Sequence, residues 1–370
     1  MPAGLIPANA VQIADYGATP GTGVNRENLS DVLVLLAQTK TPLLSMASSE
    51  TTQNTSYEWP EDSLRDPKTA QDGGSGTGSL VSGQKEGADF SASQMSNPVR
   101  NINFVQNFRS DILVTRDQIL MNPAGIRDTY AHNERKVMQE LLRAVEARIF
   151  SVLQRAGDQT GSTLGVRMMK TLDKISADGH TGAQAANRSS QGTDNSPAAL
   201  TEDMVLDVLQ NMADLGAPGV TLMASAPVKR KISRTFTGVG NAGAGAPMNR
   251  TAGPRQVIAT VQTYENDFET VELIWNPWVT KEEEDAYKFD GTAISEDSAT
   301  PDGLGATFTR LGGRVWIFAQ GNISQVWFDK LHSESIGKRG DSIAGIVRGG
   351  VTVKVGSTKG LGVIAGIANS

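Results

Sequence analysis

The longest uninterrupted helical pattern in the chain covers residues 127–155, which contain neither proline nor glycine. Apolar side chains recur there at steps of four and three residues, which places them on one face of a helix with 3.6 residues per turn. This apolar stripe consists of Met138, Leu142, Val145, Ile149 and Val152, with Leu141 and Leu153 widening it. About 29 residues would form a rod about 43 Å long, so other parts of the chain must supply a surface that covers the stripe. We call this element the spine helix.

The remaining positions of the spine helix are mostly charged, and the sequence predicts that they face solvent. They are Glu134, Arg135, Lys136, Glu140, Arg143, Glu146 and Arg148. The spacings from Glu140 to Arg143 and from Arg143 to Glu146 allow opposite charges to stabilise the helix by about 0.2–0.5 kcal/mol per pair. Burial of the apolar stripe therefore dominates the energetics of this helix.

The composition excludes several classes of functional site. The chain has no cysteine, which excludes disulfides, thiolate metal sites and cysteine nucleophiles and is typical of a reducing cytoplasm. Its three histidines, His132, His180 and His332, are too far apart in sequence to suggest a metal site. A net charge of −6 argues against a general nucleic-acid-binding protein. We expect neither a secretion signal nor a membrane anchor, because the apolar run at 32–37 is too short to cross a bilayer.

Residues 60–98 are too polar to fold on their own. Their sizeable apolar residues are Leu64, Leu80, Val81, Phe90 and Met95. Burying all of these would contribute roughly 8–15 kcal/mol, whereas ordering the backbone of the segment would cost about 40–80 kcal/mol. The two flanks have strand patterns, with Tyr57 and Trp59 on one side and Ile102, Phe104 and Phe108 alternating on the other. The sequence therefore predicts a long β-hairpin whose polar tip is mobile or is held by a surface outside its own fold.

The glycine tract at residues 73–83 raises the alternative of a phosphate-binding loop. Gly78 and Gly83 have the spacing of the two glycines in such a loop. However, Gln84 stands where the loop needs lysine, and the tract lacks the preceding apolar strand and the following helix that the geometry requires. The pattern favours a flexible loop, with an enzyme that binds a phosphorylated ligand as the less favoured alternative.

Two helices separated by a strand are predicted after residue 200. The first covers 202–215, with Thr201 as its N-cap and Gly216 after its end. A buried strand follows at 220–224, and the next helix, PVKRKISRTF, carries a basic cluster. The members of this cluster are Lys229, Arg230, Lys231 and Arg234. Because no aromatic residues are interleaved, the cluster is more typical of a solvated face or a subunit contact than of nucleic-acid readout.

The rest of the chain has strand patterns and no catalytic motif. Strands are predicted at 257–261 and 271–275, which form a hairpin, and at 315–319, 326–328, 351–355 and 361–367. No Ser-His-Asp order, HExxH motif or GxSxG motif is present. We therefore predict that the protein is not an enzyme and has no metal site and no cofactor.

Three segments resemble the major capsid proteins of tailed phages with the Hong Kong 97 type fold. Residues 200–236, LTEDMVLDVLQNMADLGAPGVTLMASAPVKRKISRTF, are similar to the helix, glycine turn, strand and helix that open the axial domain of that family. Residues 263–279, TYENDFETVELIWNPWV, resemble a hairpin of the same family. Residues 335–367 resemble the C-terminal end of one subgroup, with Lys338, Gly340 and Asp341 in a turn before a long strand.

The resemblance implies an α+β, HK97-like capsid fold with four parts. These are an N-terminal arm at 1–50, an extended β-hairpin loop (E-loop) at 51–110, a peripheral domain with the spine helix at 111–200 and 331–357, and an axial α/β domain at 201–330 and 358–370. Some members of the family cross-link a lysine of the extended loop to a neighbouring asparagine. Lys85 lies in that loop, but no partner asparagine can be matched, so this chemistry is not predicted here.

The resemblance also implies a structural protein of the virion that assembles in the host cytoplasm. Its subunits would form the pentamers and hexamers of an icosahedral or prolate phage head, with decoration (cement) and portal proteins as partners and no membrane contact. Packaged double-stranded DNA would be contacted non-specifically through its phosphates. Inter-subunit contacts are expected at Tyr57, Trp59, Gly76, Gly78, Lys85, Phe90, Phe104, Lys229, Arg230, Lys338 and Asp341. An encapsulin-like nanocompartment shell, which encloses an enzyme instead of a genome, remains the alternative.

Overall fold

The computed structural model describes residues 37–62, 67–68, 80–81, 98–121, 125–151, 167–179, 182–190, 199–236, 252–253, 256–257, 262–266, 268–279 and 313–367. The helices in these ranges are α1 (Pro42–Met46), α2 (Arg116–Leu120), α3 (Thr129–Ile149), α4 (Leu172–Gly179), α5 (Glu202–Asp214) and α6 (Ala226–Phe236), with short 3-10 helices at Gly182–Asn187 and Thr358–Gly360. The first strands are β1 (Ser48–Thr51), β2 (Ser56–Glu61), β3 (Pro67–Lys68), β4 (Leu80–Val81), β5 (Val99–Phe104), β6 (Gln106–Thr115), β7 (Arg188–Ser190) and β8 (Gly219–Ala224). The later strands are β9 (Ala252–Gly253), β10 (Gln256–Val257), β11 (Thr263–Glu265), β12 (Thr270–Trp275), β13 (Gly313–Ala319), β14 (Ile323–Arg339), β15 (Ser342–Val355) and β16 (Leu361–Ile367).

A four-stranded sheet with the order β1-β14-β15-β6 is built on a long antiparallel ribbon formed by β14 and β15. The ribbon turns at Gly340 and Asp341, and Gly340 has a φ of 64°, a left-handed value that favours glycine. The spine helix, α3, packs on one face of this sheet. Gly345 lies under the helix, where an added Cβ would collide with the hydroxyl group of Tyr130. A larger residue at this position would have to displace the Tyr130 side chain.

A six-stranded sheet with the order β11-β12-β8-β13-β16-β7 forms the second layer. Its central strands are buried on both faces, because neighbouring residues along each strand enter different cores. In β8, Leu222 joins a core with α5 and α6, whereas Met223 joins a core with the spine helix. In β13, Ile317 joins the core with α5 and α6, and Trp316 joins the core with the spine helix. The near-continuous apolar sequence of these strands follows from this double burial.

The core beneath the spine helix joins the two sheets. Val145, Ile149 and Phe150 pack there against Trp316 of the six-stranded sheet and Val353 of the ribbon. All five side chains are 2% exposed or less. The last turns of the spine helix therefore fix the position of one sheet relative to the other.

The spine helix confirms the predicted element but corrects its ends and its exposed face. It runs over Thr129–Ile149, shorter than the predicted 127–155, with the Asp128 side chain accepting hydrogen bonds from the first free N–H groups. The prediction that Glu146 and Arg148 face solvent is wrong, since they are 0% and 5% exposed. Both residues border the apolar stripe, and the surrounding elements cover more of the helix than the stripe alone.

Most other predicted elements are present with adjusted bounds. The helices predicted from residue 202 and in PVKRKISRTF are α5 and α6, and the strand predicted at 220–224 is β8. The predicted pairing of 257–261 with 271–275 is not found in the described part of the chain: β12 pairs with β11, and residues 258–261 lie outside the description. The strands predicted at 326–328 and 351–355 are parts of much longer strands, β14 and β15.

Candidate functional site

The two strands predicted at the base of the extended loop do pair. Strand β2 runs antiparallel to β5, with Tyr57 opposite Asn103 and Trp59 opposite Asn101. We call this pair of strands the hairpin root. The root occupies both ends of the 62–98 connection, so its anchoring fixes the points at which that connection begins and ends.

A polar cluster links strand β2 of the hairpin root to the ribbon. The Tyr57 hydroxyl donates to Glu50 Oε2 at 2.6 Å, and Lys354 Nζ donates to Glu50 Oε1 at 3.0 Å. Burial raises the pKa of the Glu50 carboxyl, but the hydrogen bonds from Tyr57 and Lys354 outweigh it and hold that pKa below its ordinary value. The hydrogen bond to Glu50 raises the pKa of Tyr57, and burial adds to the effect. Glu50 is therefore a charged acceptor that joins β1, β2 and β15.

The aromatic residues of the hairpin root contact their own subunit. Tyr57 and Trp59 stack with ring centroids 6.2 Å apart, and Trp59 is 6% exposed. Phe104 is half-buried at the end of β5, opposite Ser56. All three predicted contact residues thus belong to the root, with the stacked rings of Tyr57 and Trp59 on one face and Phe104 on the other.

Asn103 anchors strand β5 of the hairpin root and is fully buried. Its Nδ2 donates to the backbone oxygen of Val353 at 2.7 Å, and its Oδ1 accepts from the backbone N–H of Lys170 at 2.8 Å. Next to it, Arg167 Nε donates to the backbone oxygen of Val105 at 2.7 Å. One amide side chain therefore connects the root to the ribbon and to the segment that leads into α4.

A second anchored segment, residues 38–47, lies where the predicted N-terminal arm joins the rest of the chain. Glu146 of the spine helix accepts from the backbone N–H of Leu43 at 3.0 Å and of Leu44 at 3.4 Å. These N–H groups belong to the first turn of α1, whose N-cap residue Thr41 makes no side-chain capping bond. Asn276 Nδ2 also donates to Glu146 Oε1, at 2.6 Å. Glu146 thus caps α1 from a distance and binds the end of β12 at the same time.

The pKa of Glu146 is raised from its ordinary value of 4.5 to about 7. Burial raises it, and the hydrogen bonds from Leu43, Asn276 and Leu44 only partly oppose the effect. The carboxyl group is therefore close to half-protonated at neutral pH.

Further side chains hold the same segment through its backbone oxygens. Arg143 Nη1 donates to the oxygen of Gln38 at 3.3 Å, and Trp278 Nε1 donates to that of Lys40 at 2.7 Å. The Arg143 guanidinium also lies 5.6 Å from the Trp278 ring centroid, within cation–π range. Together with Glu146, these contacts form what we call the arm clamp.

The turn of the ribbon carries the predicted contact residues Lys338 and Asp341, both exposed. Asp341 Oδ1 lies 3.9 Å from Arg116 Nη1, a weak surface ion pair. Large apolar side chains are exposed at the same end of the sheet: Leu113 at 62%, Leu120 at 73%, Met121 at 67% and Ile336 at 59%. Such a group of apolar residues is typical of a protein contact surface.

The two predicted contact residues of α6 differ in their surroundings. Lys229 is half-buried and donates to the backbone oxygen of Leu273 at 2.8 Å, and burial lowers its pKa. Arg230 is exposed. Lys229 therefore joins α6 to β12 within the subunit, whereas Arg230 is accessible at the surface.

Some predicted contact residues lie outside the described part of the chain, and two structural residues were missed. Gly76, Gly78, Lys85 and Phe90 are outside the description. Sequence reasoning missed Glu146 and Asn103 as the central residues of the arm clamp and the hairpin root. For Glu146 a signal existed, because it lies four residues after Leu142 and three before Ile149, at the border of the apolar stripe.

Two features of the described residues bear on other classes of function. Among the described residues, no group of three or more His, Asp or Glu side chains has an arrangement that could hold a metal ion. None of the helices in the described ranges combines the length and the apolar composition that a membrane span needs.

Solved structures with a similar fold are mostly phage capsids. The capsid asymmetric unit of cyanophage A-1(L) has a TM-score of 0.63 at 10% identity, covering 93% of this chain and 97% of that chain. The capsid of cyanophage P-SCSP1u has a TM-score of 0.56 at 11% identity, covering 98% and 100%. An encapsulin complex from Synechococcus elongatus has a TM-score of 0.50 at 10% identity, covering 94% of each chain. These similarities confirm the α+β fold of the Hong Kong 97 type.

Sequence comparison gives the family. No curated protein matches the chain. A family model described as SU10 major capsid protein matches residues 13–368, which is nearly the whole sequence. The chain therefore belongs to the SU10 major capsid protein family and is a structural shell protein of a phage virion.

Proposed function

We propose that this chain self-assembles into pentamers and hexamers that close into a phage head around double-stranded DNA, and that it acts only as a structural protein. The observation that carries the proposal is the hairpin root, which is firmly anchored although the segment that it supports cannot fold alone. Of the two alternatives for this segment, a mobile tip or a tip held by an outside surface, the anchored root supports the second, with another subunit as that surface.

The energetic imbalance at residues 60–98 gives this argument its physical basis. Their apolar side chains supply roughly 8–15 kcal/mol against a backbone ordering cost of about 40–80 kcal/mol. At the root, by contrast, Asn103 is buried and hydrogen-bonded to Val353, and Trp59 is buried and stacked on Tyr57. We infer that the extended loop at 51–110 lies across an adjacent subunit, and that the N-terminal arm at 1–50 does the same from the arm clamp.

The remaining parts have separate roles in this proposal. The peripheral domain, 111–200 and 331–357, presents the exposed apolar end of the ribbon with Lys338 and Asp341 to other subunits. The axial domain, 201–330 and 358–370, presents Arg230. Packaged DNA meets scattered basic side chains without base readout, which a net charge of −6 permits. Decoration and portal proteins are further partners in this proposal.

Electron microscopy of the purified full-length chain tests the proposal directly. We expect rings of five or six subunits or closed shells, formed over a range of salt and protein concentrations. A chain that stays monomeric under all of these conditions would refute self-assembly.

A deletion separates assembly from folding. Removing residues 73–87 should leave the melting temperature of the subunit nearly unchanged and should prevent shell formation. A matched variant that replaces the same residues by a glycine–serine linker of equal length keeps the reach of the loop but removes its side chains. If both variants form shells as the wild type does, the extended loop is not an assembly element.

The nanocompartment alternative rests on the similarity to the encapsulin complex. It predicts particles that enclose protein and contain no nuclease-protected DNA, whereas the phage-head proposal predicts protected DNA in particles from infected cells. An enzyme that uses the glycine tract at 73–83 would instead bind a nucleotide and lose binding on Gly78→Ala.

A further inference from the structure

The apolar stripe of the spine helix is fully covered over only part of its length. Val145 and Ile149 are 0% and 2% exposed, because they belong to the core that joins the two sheets. Leu142, in the middle of the predicted stripe and one turn earlier, is only half-buried. Met138, a further turn towards the N-terminus, is half-buried as well. The described residues therefore leave the first half of the stripe without full cover.

An open groove of about 410 Å³ lies against the spine helix at Leu142. Besides Leu142, its apolar lining consists of Leu44 of α1 and of Trp327 and Leu331 of β14. Gln325 also lines the groove, and its Nε2 donates to the backbone oxygen of Leu44 at 3.2 Å, which holds α1 against β14. The walls of the groove thus come from elements that are fixed to each other, so the groove is part of the folded subunit.

The N-terminal segment of the chain enters the described structure beside this groove. The described part begins at residue 37, and Thr41 lines the groove. Between them, the backbone oxygen of Gln38 is held by Arg143, which directly follows Leu142 in the spine helix. Five residues of extended chain span at most about 18 Å. Residue 36 is therefore tethered within reach of the groove.

The sequence of residues 27–36, ENLSDVLVLL, predicts a short amphipathic helix, and these residues lie outside the described part of the chain. Four apolar residues follow the i, i+3, i+4, i+7 spacing of one helix face. They are Leu29, Val32, Leu33 and Leu36. Glu27 and Asp31 fall on the opposite side. A helix of this length, about 15 Å, is marginal in water on its own, so it needs an apolar surface on which to pack.

We propose that residues 27–36 form a helix that packs its apolar side into the groove of the same subunit and covers Leu142. The subunit's own segment is the occupant because a short tether gives it an effective concentration on the order of millimolar. A segment from a second copy would first have to leave its own groove, to which it is tethered equally closely. The docking takes place within one subunit and does not depend on assembly. It leaves residues 1–26 as the part of the arm that reaches a neighbour.

A single reporter cysteine tests the docking in the full-length chain, which has no cysteine of its own. Ser49 lines the groove and is exposed, so Ser49→Cys supplies the reporter. In unassembled chains, its labelling by a bulky maleimide should be at least about tenfold slower than in the same chain with Leu29→Ser and Leu33→Ser. The matched control, Glu27→Ser with Asp31→Ser on the opposite side of the predicted helix, should keep the slow labelling.

Dilution and mixing identify the occupant of the groove. Protection by the subunit's own segment should be the same at every protein concentration. It should not return when the reporter chain with Leu29→Ser and Leu33→Ser is mixed with an excess of the cysteine-free wild-type chain. Circular dichroism checks the folding of each variant, and Ser45→Cys, at another exposed position of the groove, is the reporter if Ser49→Cys prevents folding.

Three results would overturn the inference and leave self-assembly intact. The first is equal labelling with and without the two leucine substitutions, which would show that the segment does not cover the groove. The second is fast labelling of the Glu27→Ser, Asp31→Ser control, since the apolar side would then not be the docking side. The third is protection that fades on dilution or returns on mixing, which would assign the groove to the segment of a second copy. A chain that protects the reporter but never forms rings or shells would instead refute the proposed function alone.

Discussion

Replacing Glu146 by glutamine should reverse the order of stability between variant and wild type as the pH rises. In the native protein Glu146 Oε1 accepts from Leu43 N–H and from Asn276 Nδ2, at 3.0 and 2.6 Å, while Oε2 has the longer bond of 3.4 Å from Leu44 N–H. A glutamine oxygen in the place of Oε1 keeps the two shorter bonds. Its amide nitrogen would face the N–H of Leu44, which loses its acceptor at a cost of about 1 kcal/mol.

The pH dependence follows from the raised pKa of Glu146. Between its ordinary value of 4.5 and its native value of about 7, the folded chain binds more protons than the unfolded chain. Stability therefore falls as the pH rises through this window. For a shift of this size, the free energy of unfolding of the wild type falls by about 2–3 kcal/mol between pH 5 and pH 8. The Glu146→Gln variant should not show this decrease, because glutamine does not titrate. The variant should thus be less stable than the wild type by about 1 kcal/mol at pH 5 and more stable by about 1–2 kcal/mol at pH 8.

Urea unfolding of the full-length chain, kept unassembled by dilution and checked by light scattering, measures this effect. The quantity to compare is the difference in midpoint between variant and wild type at each pH, because the other titrating groups are common to both chains. Glu140→Gln, at an exposed position of the same helix, is the control and should give a difference independent of pH. A Glu146→Gln difference that stays constant from pH 5 to pH 8 would show that Glu146 is ionised throughout and would refute the reasoning.

Three further substitutions test other buried contacts. Asn103→Ala should destabilise the subunit by about 2–4 kcal/mol, because it leaves the backbone groups of Lys170 and Val353 without partners; increased protease cleavage at the hairpin root should accompany the lower urea midpoint. Asp173→Asn removes the carboxylate that pairs with buried Arg314, so we expect a loss of about 3–5 kcal/mol, and a change in melting temperature of only a degree or two would contradict this. Gly345→Ala should cost about 1–3 kcal/mol by overpacking against Tyr130. In calorimetry, adding Tyr130→Phe should recover much of that loss, whereas equal melting temperatures for the single and double variants would argue against the collision.

Sequence patterns identified the elements whose burial follows a regular period. Helix α5 begins at Glu202 as expected, and strand β8 covers the predicted 220–224. The patterns missed the length of β14, because its outer half pairs with β15 while many of its side chains remain exposed and polar. An exposed ribbon of this kind is held by backbone hydrogen bonds, which leave no hydrophobic period in the sequence.

The sequence patterns also failed to predict which polar residues are buried, and Glu146 shows why. A helical wheel places it beside Leu142, at the border of the apolar stripe, where either solvent or protein can lie. Its burial depends on α1 and on the end of β12, which are 102 and 130 residues away in the sequence. A helical period reports only that one face is covered; how far the cover extends is decided by elements elsewhere in the chain.

The two anchors share a feature that bears on assembly. At the arm clamp and at the hairpin root, a segment that is poor in local stabilisation joins the core through a buried polar side chain, Glu146 or Asn103. An apolar contact would hold such a segment with little preference for direction, since the hydrophobic effect is non-directional. Hydrogen bonds to specific backbone groups fix both position and direction. If the two segments reach neighbouring subunits as we propose, this control matters, because a small error in the direction at the root becomes a large displacement at the far end.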